Sequence, residues 1–474
     1  MDTDTLPQTD FRQIFQAQRQ TAEAWRRSTT EERIDRLVKI GDWIRSNQKT
    51  IREALWQDFK KPEVESDLSE IFPVTSEINH AKKNLKSWMK PSKASMPMPM
   101  FGTSSHIQYE PKGCSLIIAP WNYPFNLTIG PLVSALAAGC TAIIKPSELT
   151  PNTSALIAKM VEELFTPEEV TVCLGGAEVS QALLSLPFDH IFFTGSPKIG
   201  KIVMAAAAKH LTSVTLELGG KSPTIVTQSA DIPDAAKKIA FGKFVNAGQT
   251  CIAPDYILVH ESRKKELVAE LTIAIRDMYD PKHQGIEKSP DLARIIDSRH
   301  FGRLSGYLRE ALDQGAKLEF GGGIVEGDLY IEPTLLSQTS EDMAISQEEI
   351  FGPLLPILGY QTLQEAIDYV NQKPKPLALY VFGSGTESAE VLEKTSSGNA
   401  VVNDCVLHFM HHNLPFGGIG NSGLGKSHGE FGFLAFSNEK GVLKQRVGFN
   451  NVTLLRPPYG VKAKKIIASL IKWF

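Results

Sequence analysis

The chain has 474 residues, with Lys+Arg 50 against Asp+Glu 53, a formal net charge of −3 and a pI near 6.4. That length gives room for two or three packed units, and the near balance of charge removes the global field that nucleic acid or an acidic surface would need. The 5 cysteines, odd in number and without a Cys-x-x-Cys pair, argue against a disulfide framework or a zinc site and for a reducing compartment. The acidic start Met1-Asp2-Thr3-Asp4-Thr5 lacks the apolar core of a signal peptide, and no apolar run reaches the roughly 18 residues of a membrane-spanning helix. A cytoplasmic location is the expectation.

From Phe11 to Phe59 apolar residues recur at helical spacing, as in Ile34, Leu37, Val38 and Ile51, Ala54, Leu55, with Gly41 the only Gly or Pro. The Pro- and Met-rich stretch from Pro91 to Gly102 reads as a connector. Apolar β-runs then alternate with helical ones, at Ser115 to Ala119, Thr141 to Ile144, Val170 to Leu174, Ile191 to Thr194 and Val214 to Leu218. Such runs separated by helices predict a parallel sheet covered on both faces, a Rossmann-like nucleotide-binding unit in an α/β protein. A second α/β unit is expected from Gly219 to Leu407, with strands at Tyr256 to Val259, Pro356 to Tyr360, Leu379 to Phe382 and Ala400 to Asn403. The tail carries Ala463, Ile466, Ile467, Leu470, Ile471 and Phe474 on one helical stripe, with Lys462, Lys464, Lys465 and Lys472 off it, so an amphipathic basic helix is predicted.

One cysteine stands apart. Cys251 closes the polar, glycine-containing run Asn246-Ala247-Gly248-Gln249-Thr250, which suits a thiol presented on a loop, whereas Cys114, Cys140, Cys173 and Cys405 sit in or beside apolar runs as packing residues. Glu217 lies 34 residues upstream, at the end of a β-run and before Gly219-Gly220. A thiol that forms an acyl intermediate needs a base to activate the water that releases it, and Glu217 is the candidate. Phe193-Thr194-Gly195-Ser196-Pro197 runs from a strand into a helix, with Ser196 as N-cap and Gly200 one turn on. A helix start of that kind offers free N–H groups to a pyrophosphate, and Gly195 lets backbone approach it. On its own the pattern is weak and fits an ordinary capped helix better. His411-His412 makes no metal pair, because adjacent residues face apart, and no metal is expected. Tyr123, Phe241 and Phe244 flank the candidate residues either as an apolar entrance or as core.

Glu217-Leu218-Gly219-Gly220-Lys221 with Asn246 to Cys251 resembles the paired signature of the NAD(P)-dependent aldehyde dehydrogenase superfamily. Further blocks follow in the family's order: Pro120-Trp121-Asn122-Tyr123-Pro124, Lys145-Pro146-Ser147-Glu148, Phe193-Thr194-Gly195-Ser196, Glu348-Glu349-Ile350-Phe351-Gly352-Pro353 and Pro415-Phe416-Gly417-Gly418. The chain's length, its short lead-in and the phrase Lys375-Pro376-Leu377-Ala378-Leu379-Tyr380 resemble the class 3 or fatty aldehyde dehydrogenase branch in particular.

The resemblance implies an aldehyde dehydrogenase fold: a Rossmann-like cofactor domain (1–90 and 112–216, with 408–430), an α/β catalytic domain (217–407), a small β-extension for oligomerisation (91–111 and 431–450) and a tail (451–474). It implies cofactor contacts from Trp121, Gly195, Ser196, Gly200 and Gly219, ribose contacts from Lys145 and Glu148, and a nicotinamide-ribose carboxylate in Glu349 beside Phe351. A carboxylate at position 148 would repel a 2′-phosphate, which favours NAD while leaving NADP possible. Cys251 is then the nucleophile, Glu217 the hydrolytic base, and Asn122 with the Cys251 N–H an oxyanion hole. The implied activity is oxidation of medium- to long-chain aliphatic or aromatic aldehydes through a cysteine thioester, by a homodimer without nucleic-acid partners. A CoA-acylating relative and a cysteine hydrolase or esterase are the alternatives. The tail either covers the substrate funnel or rests on an anionic membrane, without the long apolar tail of the anchored members.

Overall fold

The computed structural model describes residues 11–97, 100, 102–448 and 450–473; the acidic start and Phe474, both used above, lie outside the described residues. Helices Phe11–Trp25, Thr30–Ser46 and Gln48–Phe59 fill the predicted helical lead-in. Thr29 opens the second of them with a reciprocal capping box to Glu32, which satisfies two of the donors a helix start leaves free. A further helix, Phe72–Trp88, follows a π-helical turn at Asp67–Ile71.

Two parallel-rich sheets carry the molecule. The first has six strands in the order Gly423–Leu424, Ser213–Leu218, His190–Gly195, Cys114–Ile118, Thr141–Lys145 and Val170–Val172, all parallel except the first. Each of the five predicted strands is there, with ends displaced by one or two residues. Their unbroken apolar runs follow from burial on both faces: Ile117, Ile144 and Phe192 enter one core, while Leu116, Ile118, Ile143, Ile191 and Phe193 enter another.

The second sheet runs Lys317–Phe320, Thr334–Ser337, Leu354–Tyr360, Tyr256–His260, Pro223–Val226, Ala378–Phe382 and Asn399–Val402, with only the first antiparallel. Three of its strands escaped the sequence reading. Pro223–Val226, Lys317–Phe320 and Thr334–Ser337 are four residues each, and a proline at the start of the first and just before the third, with alternating charge in the second, hides the apolar run. The predicted strand end at Asn403 also moves, since Asn403 leaves the sheet with φ 57°.

A separate antiparallel ribbon pairs Thr103–Pro111 with Ser437–Gln445 over their full length, from Thr103 opposite Gln445 to Pro111 opposite Ser437. Ser92–Lys93 extends it on the other side. The tail forms the predicted helix at Val461–Trp473. Its stripe is divided, however: Ala463 is buried and Ile466 and Leu470 are half-buried, but Ile467 and Ile471 are exposed.

Candidate active site

The helix Ile232–Phe244 stops at Val245, and the chain then passes through Asn246 (φ 56°), Ala247 (φ 51°) and Gly248 (φ 74°) before Cys251. Left-handed backbone costs a side-chain-bearing residue about 1–2 kcal/mol, so two such residues in a row need external support. Side-chain amides supply it. Asn246 Nδ2 donates to Asn122 O at 2.8 Å, and buried Gln249 donates from Nε2 to Asn246 O and Arg294 O, both at 3.0 Å, while its Oε1 accepts from Ile296 N at 3.0 Å. Gly248 is required sterically: a Cβ there would lie 2.3 Å from Gly352 O.

Cys251 is partly exposed at the floor of a cleft of about 820 Å³, whereas the other four cysteines are buried. Burial of the thiol pushes it up to about 12, Glu349 and Glu217 add repulsion against a thiolate, and the backbone N–H groups of Cys251 and Ile252 pull the other way.

Glu217 sits one residue from the end of Ser213–Leu218, buried, with Oε1 accepting from Ser427 Oγ at 3.0 Å. Its Oε2 has no hydrogen-bond partner among the described residues. Burial pushes the carboxyl up to about 8, against the opposing pull of Ser427 and Lys426. Cys251 and Glu217 line both the large cleft and a much smaller inner cavity walled by Leu377, Phe409 and Phe416. Thiol and carboxyl therefore stand where the two spaces meet.

Asn122 lines the cleft and spends one amide proton on Gln249 O at 3.0 Å, keeping the second. Next to it, the Tyr123 hydroxyl is 2.6 Å from Thr250 Oγ1. Behind Tyr123 lies a pair that sequence reasoning missed: Lys61 and Glu70, both fully buried, form an ion pair at 2.8 Å, with the Lys61 ammonium 3.9 Å above the Tyr123 ring. The other two flanking aromatics do not form an entrance. Phe244 is fully buried in the core of the second sheet, and Phe241 is exposed.

On its outer side the cleft is lined by Trp121, Gly195, Ser196, Gly219, Glu349 and Phe351. Ser196 caps the helix Pro197–Ala208, accepting from Ile199 N. The Trp121 ring meets Phe351 edge-on at 5.3 Å and His300 at 4.9 Å. Glu349, pushed up to about 8 by burial and Asp255, is met by the Gly220 N–H. A Cβ on Gly219 would fall 2.3 Å from its carboxylate.

Lys221 fastens this corner, with Nζ bonded to Asp255 and donating to Ile345 O and Glu348 O, both at 2.9 Å. Lys221 was legible only as the last residue of the Glu217 to Lys221 block, and Asp255 carried no sequence signal. Three predicted cofactor residues stand off the cleft walls. Lys145, at the end of the strand Thr141–Lys145, pairs at 2.5 Å with Glu148 just beyond it, and Gly200 packs against Leu218, where a Cβ would lie 2.7 Å from Leu218 Cδ2. Among the described residues no group of three or more His, Cys, Asp or Glu could hold a metal ion, and no helix is long and apolar enough to cross a membrane.

Residues 2–442 match the model of the aldehyde dehydrogenase family. A 4,4'-diaponeurosporen-aldehyde dehydrogenase of Staphylococcus aureus is 46% identical over 92% of this chain and 94% of its own length. A probable coniferyl aldehyde dehydrogenase of Pseudomonas aeruginosa is 43% identical over 96% and 95%. Among solved structures, a substrate-bound state of Staphylococcus aureus AldH superposes with a TM-score of 0.92 at 45% identity, covering 97% of this chain and 99% of that one.

Proposed function

The chain belongs to the aldehyde dehydrogenase family of NAD(P)-dependent oxidoreductases, and from that premise we propose that it oxidises medium- to long-chain aliphatic or aromatic aldehydes to carboxylic acids through a thioester on Cys251. The observation that carries this reading is the shared position of Cys251 and Glu217 between the large cleft and the apolar inner cavity. Cys251 Sγ attacks the aldehyde carbon and gives up its proton to solvent, the one proton that the oxidation releases overall. As the C–S bond forms, charge grows on the carbonyl oxygen, and the spare amide proton of Asn122 with the Cys251 N–H stabilises it.

The cleft fits a dinucleotide: a capped helix start, a glycine that only the absence of a Cβ keeps clear of Glu349, and the Trp121–Phe351 pair surround it. Trp121, Gly195, Ser196, Gly219, Glu349 and Phe351 would hold the cofactor there, with Lys145 and Glu148 at its adenosine ribose and Gly200 packed behind against Leu218. What a bound nicotinamide dinucleotide supplies is the acceptor for the aldehyde hydride. Glu217 Oε2 then takes a proton from the water that attacks the thioester, the acid leaves and the thiol is restored. The Glu148 carboxylate favours NAD, but its pairing with Lys145 softens repulsion of a 2′-phosphate, so the reading is a preference for NAD with NADP accepted. A base beside the thiol speaks against release to CoA, and the cleft against an esterase without redox chemistry.

The test is reduction of NAD+ and NADP+ by the purified chain over an aldehyde series of rising length, beside Cys251→Ala. Turnover that rises with chain length and vanishes in the variant supports the proposal. No reduced cofactor at any length overturns it.

The chain is further read as a cytoplasmic homodimer built from the three units delimited above. Support for the dimer is the nine-residue strand Ser437–Gln445, exposed along most of its length and at the edge of its ribbon, where unpaired backbone invites a second copy. The tail helix, with Ile467, Ile471 and Trp473 exposed among Lys462, Lys464, Lys465 and Lys472, supports peripheral contact with an anionic membrane. Deleting residues 462–474 should abolish sedimentation with phosphatidylserine vesicles; loss of long-chain turnover alone would assign the helix to the substrate funnel instead.

A further inference from the structure

The loop that follows the glycine run Phe416-Gly417-Gly418 is built onto Glu217. Its short strand Gly423–Leu424 pairs antiparallel with Ser213–Leu218, placing Gly423 directly opposite Glu217, and Leu218 N donates to Ser422 O at 3.1 Å. Backbone register therefore fixes where the next turn, Gly425 to His428, comes to lie. That turn delivers the Ser427 hydroxyl to Glu217 Oε1 at 3.0 Å in a buried setting.

The direction of this bond follows from the neighbours of Ser427. A hydroxyl has one proton to give. Phe416 O, 3.4 Å away, already accepts from Ser427 N at 2.7 Å, and His428 Nδ1 lies on the other side of Ser427 Oγ at 3.3 Å. Burial holds His428 low, at about 4, so its ring is neutral near pH 7. An ionised carboxylate can only accept, and Glu217 Oε1 is the nearest acceptor at 3.0 Å, so the serine proton goes to the carboxylate and His428 is left to meet Oγ as the N–H donor. Glu217 Oε2 is left without a partner among the described residues, in a wall shared by both cavities.

We propose that Ser427 is a positioning residue for Glu217: its hydroxyl tethers Oε1, so that Oε2 alone faces the acyl group on Cys251 and takes the proton of the hydrolytic water. This rests on the reading of Glu217 as the hydrolytic base. The tether also favours the ionised carboxylate, because a donor to the charged form stabilises it against burial. The titratable groups that face Glu217 are Lys426 on the same turn, whose Nζ donates to Gly417 O at 2.6 Å, and Cys251 across the cavity; His428, which faces Ser427, is itself met by Glu77 and His412.

The experiment isolates hydrolysis from redox chemistry. With p-nitrophenyl acetate and no cofactor, Cys251 displaces p-nitrophenolate to form an acetyl thioester, and water then releases acetate, so the burst reads acylation and the steady state reads hydrolysis. Ser427→Ala should keep the burst while steady-state hydrolysis falls about tenfold at pH 7, as expected when the base titrates about one unit higher. The acid limb should move up, so that the deficit closes toward pH 10, and Ser427→Thr should restore the wild-type profile. A deficit equal at every pH, or none at all, overturns the proposal. Glu217→Gln reports on the underlying reading: hydrolysis at the wild-type rate in that variant would remove Glu217 as the base, whereas its loss beside an unaffected Ser427→Ala would refute the tether alone.

Discussion

The nucleophile and the base are held by opposite means. Cys251 follows a stretch of left-handed backbone that no regular element supports, pinned by the amides of Asn246 and Gln249. Glu217 lies within an ordinary strand, and what fixes it comes from more than 200 residues later through sheet register and one hydroxyl. Strained backbone aims a side chain where no helix or strand would, at the cost of depending on a few buried hydrogen bonds. Sheet register spreads the constraint over a ladder of backbone bonds that side-chain changes hardly touch.

The largest expected effects fall on the two groups themselves and separate their steps. Cys251→Ala should leave no measurable turnover. Glu217→Gln should form the thioester once and then stall, seen as a burst of reduced cofactor followed by a steady state about 10² to 10⁴ times slower. A missing burst would place Glu217 in the attack as well and erase the division of labour. Because ionised Glu217 adds to the repulsion that disfavours a Cys251 thiolate, the same variant should also be alkylated faster by iodoacetamide above about pH 8.

The next effects test the two kinds of support. Gln249→Ala removes three buried hydrogen bonds and leaves Arg294 O and Ile296 N without that partner. At about 1–3 kcal/mol for each buried group so stranded, it should cost kcat roughly 10- to 100-fold. Gly248→Ala, driven against Gly352 O, should lower the melting temperature as well. Leu424→Ala, in the strand that buttresses Glu217 but with an exposed side chain, should change stability by less than about 0.5 kcal/mol and leave kcat unaltered. Comparable losses at Gln249 and Leu424 would break the contrast.

The same contrast explains what the sequence made legible. Cys251, Glu217, Asn122 and the Gly195-Ser196 turn stand in short contiguous motifs whose chemistry a reader can assess locally, and all of them line one cleft. The five parallel strands of the first sheet were equally open, since burial on both faces writes an unbroken apolar run, whereas its sixth, Gly423–Leu424, was not. Residues that act through distant partners were silent. Nothing in the surroundings of Lys61 and Glu70 predicts an ion pair beneath Tyr123, and Ser427 means something only once Gly423 is known to pair with Glu217. Phe241 and Phe244 stayed ambiguous because local spacing cannot say which face of a helix end meets a cavity; Phe244 proves to be core, and Phe241 is exposed, so neither forms the entrance.

The smallest expected effect sharpens the comparison within the carboxyls. Glu217 and Glu349 are each pushed up to about 8, so between roughly pH 4.5 and 8 the folded chain holds protons that the unfolded chain has released. Stability from these groups is therefore complete below about pH 4.5, falls as pH rises, and is lost above about 8. A glutamine cannot titrate, so Glu217→Gln should melt close to wild type at pH 5 and higher at pH 9. In a chain of 474 residues each kcal/mol moves the melting temperature by only about 1 °C, which makes the expected gain a few degrees. Glu349 keeps some exposure on the cleft and receives the Gly220 N–H, so Glu349→Gln should gain less. Equal gains would mean that water reaches both carboxyls alike, and the enclosure that leaves Glu217 Oε2 without a partner would then not be what sets its proton affinity.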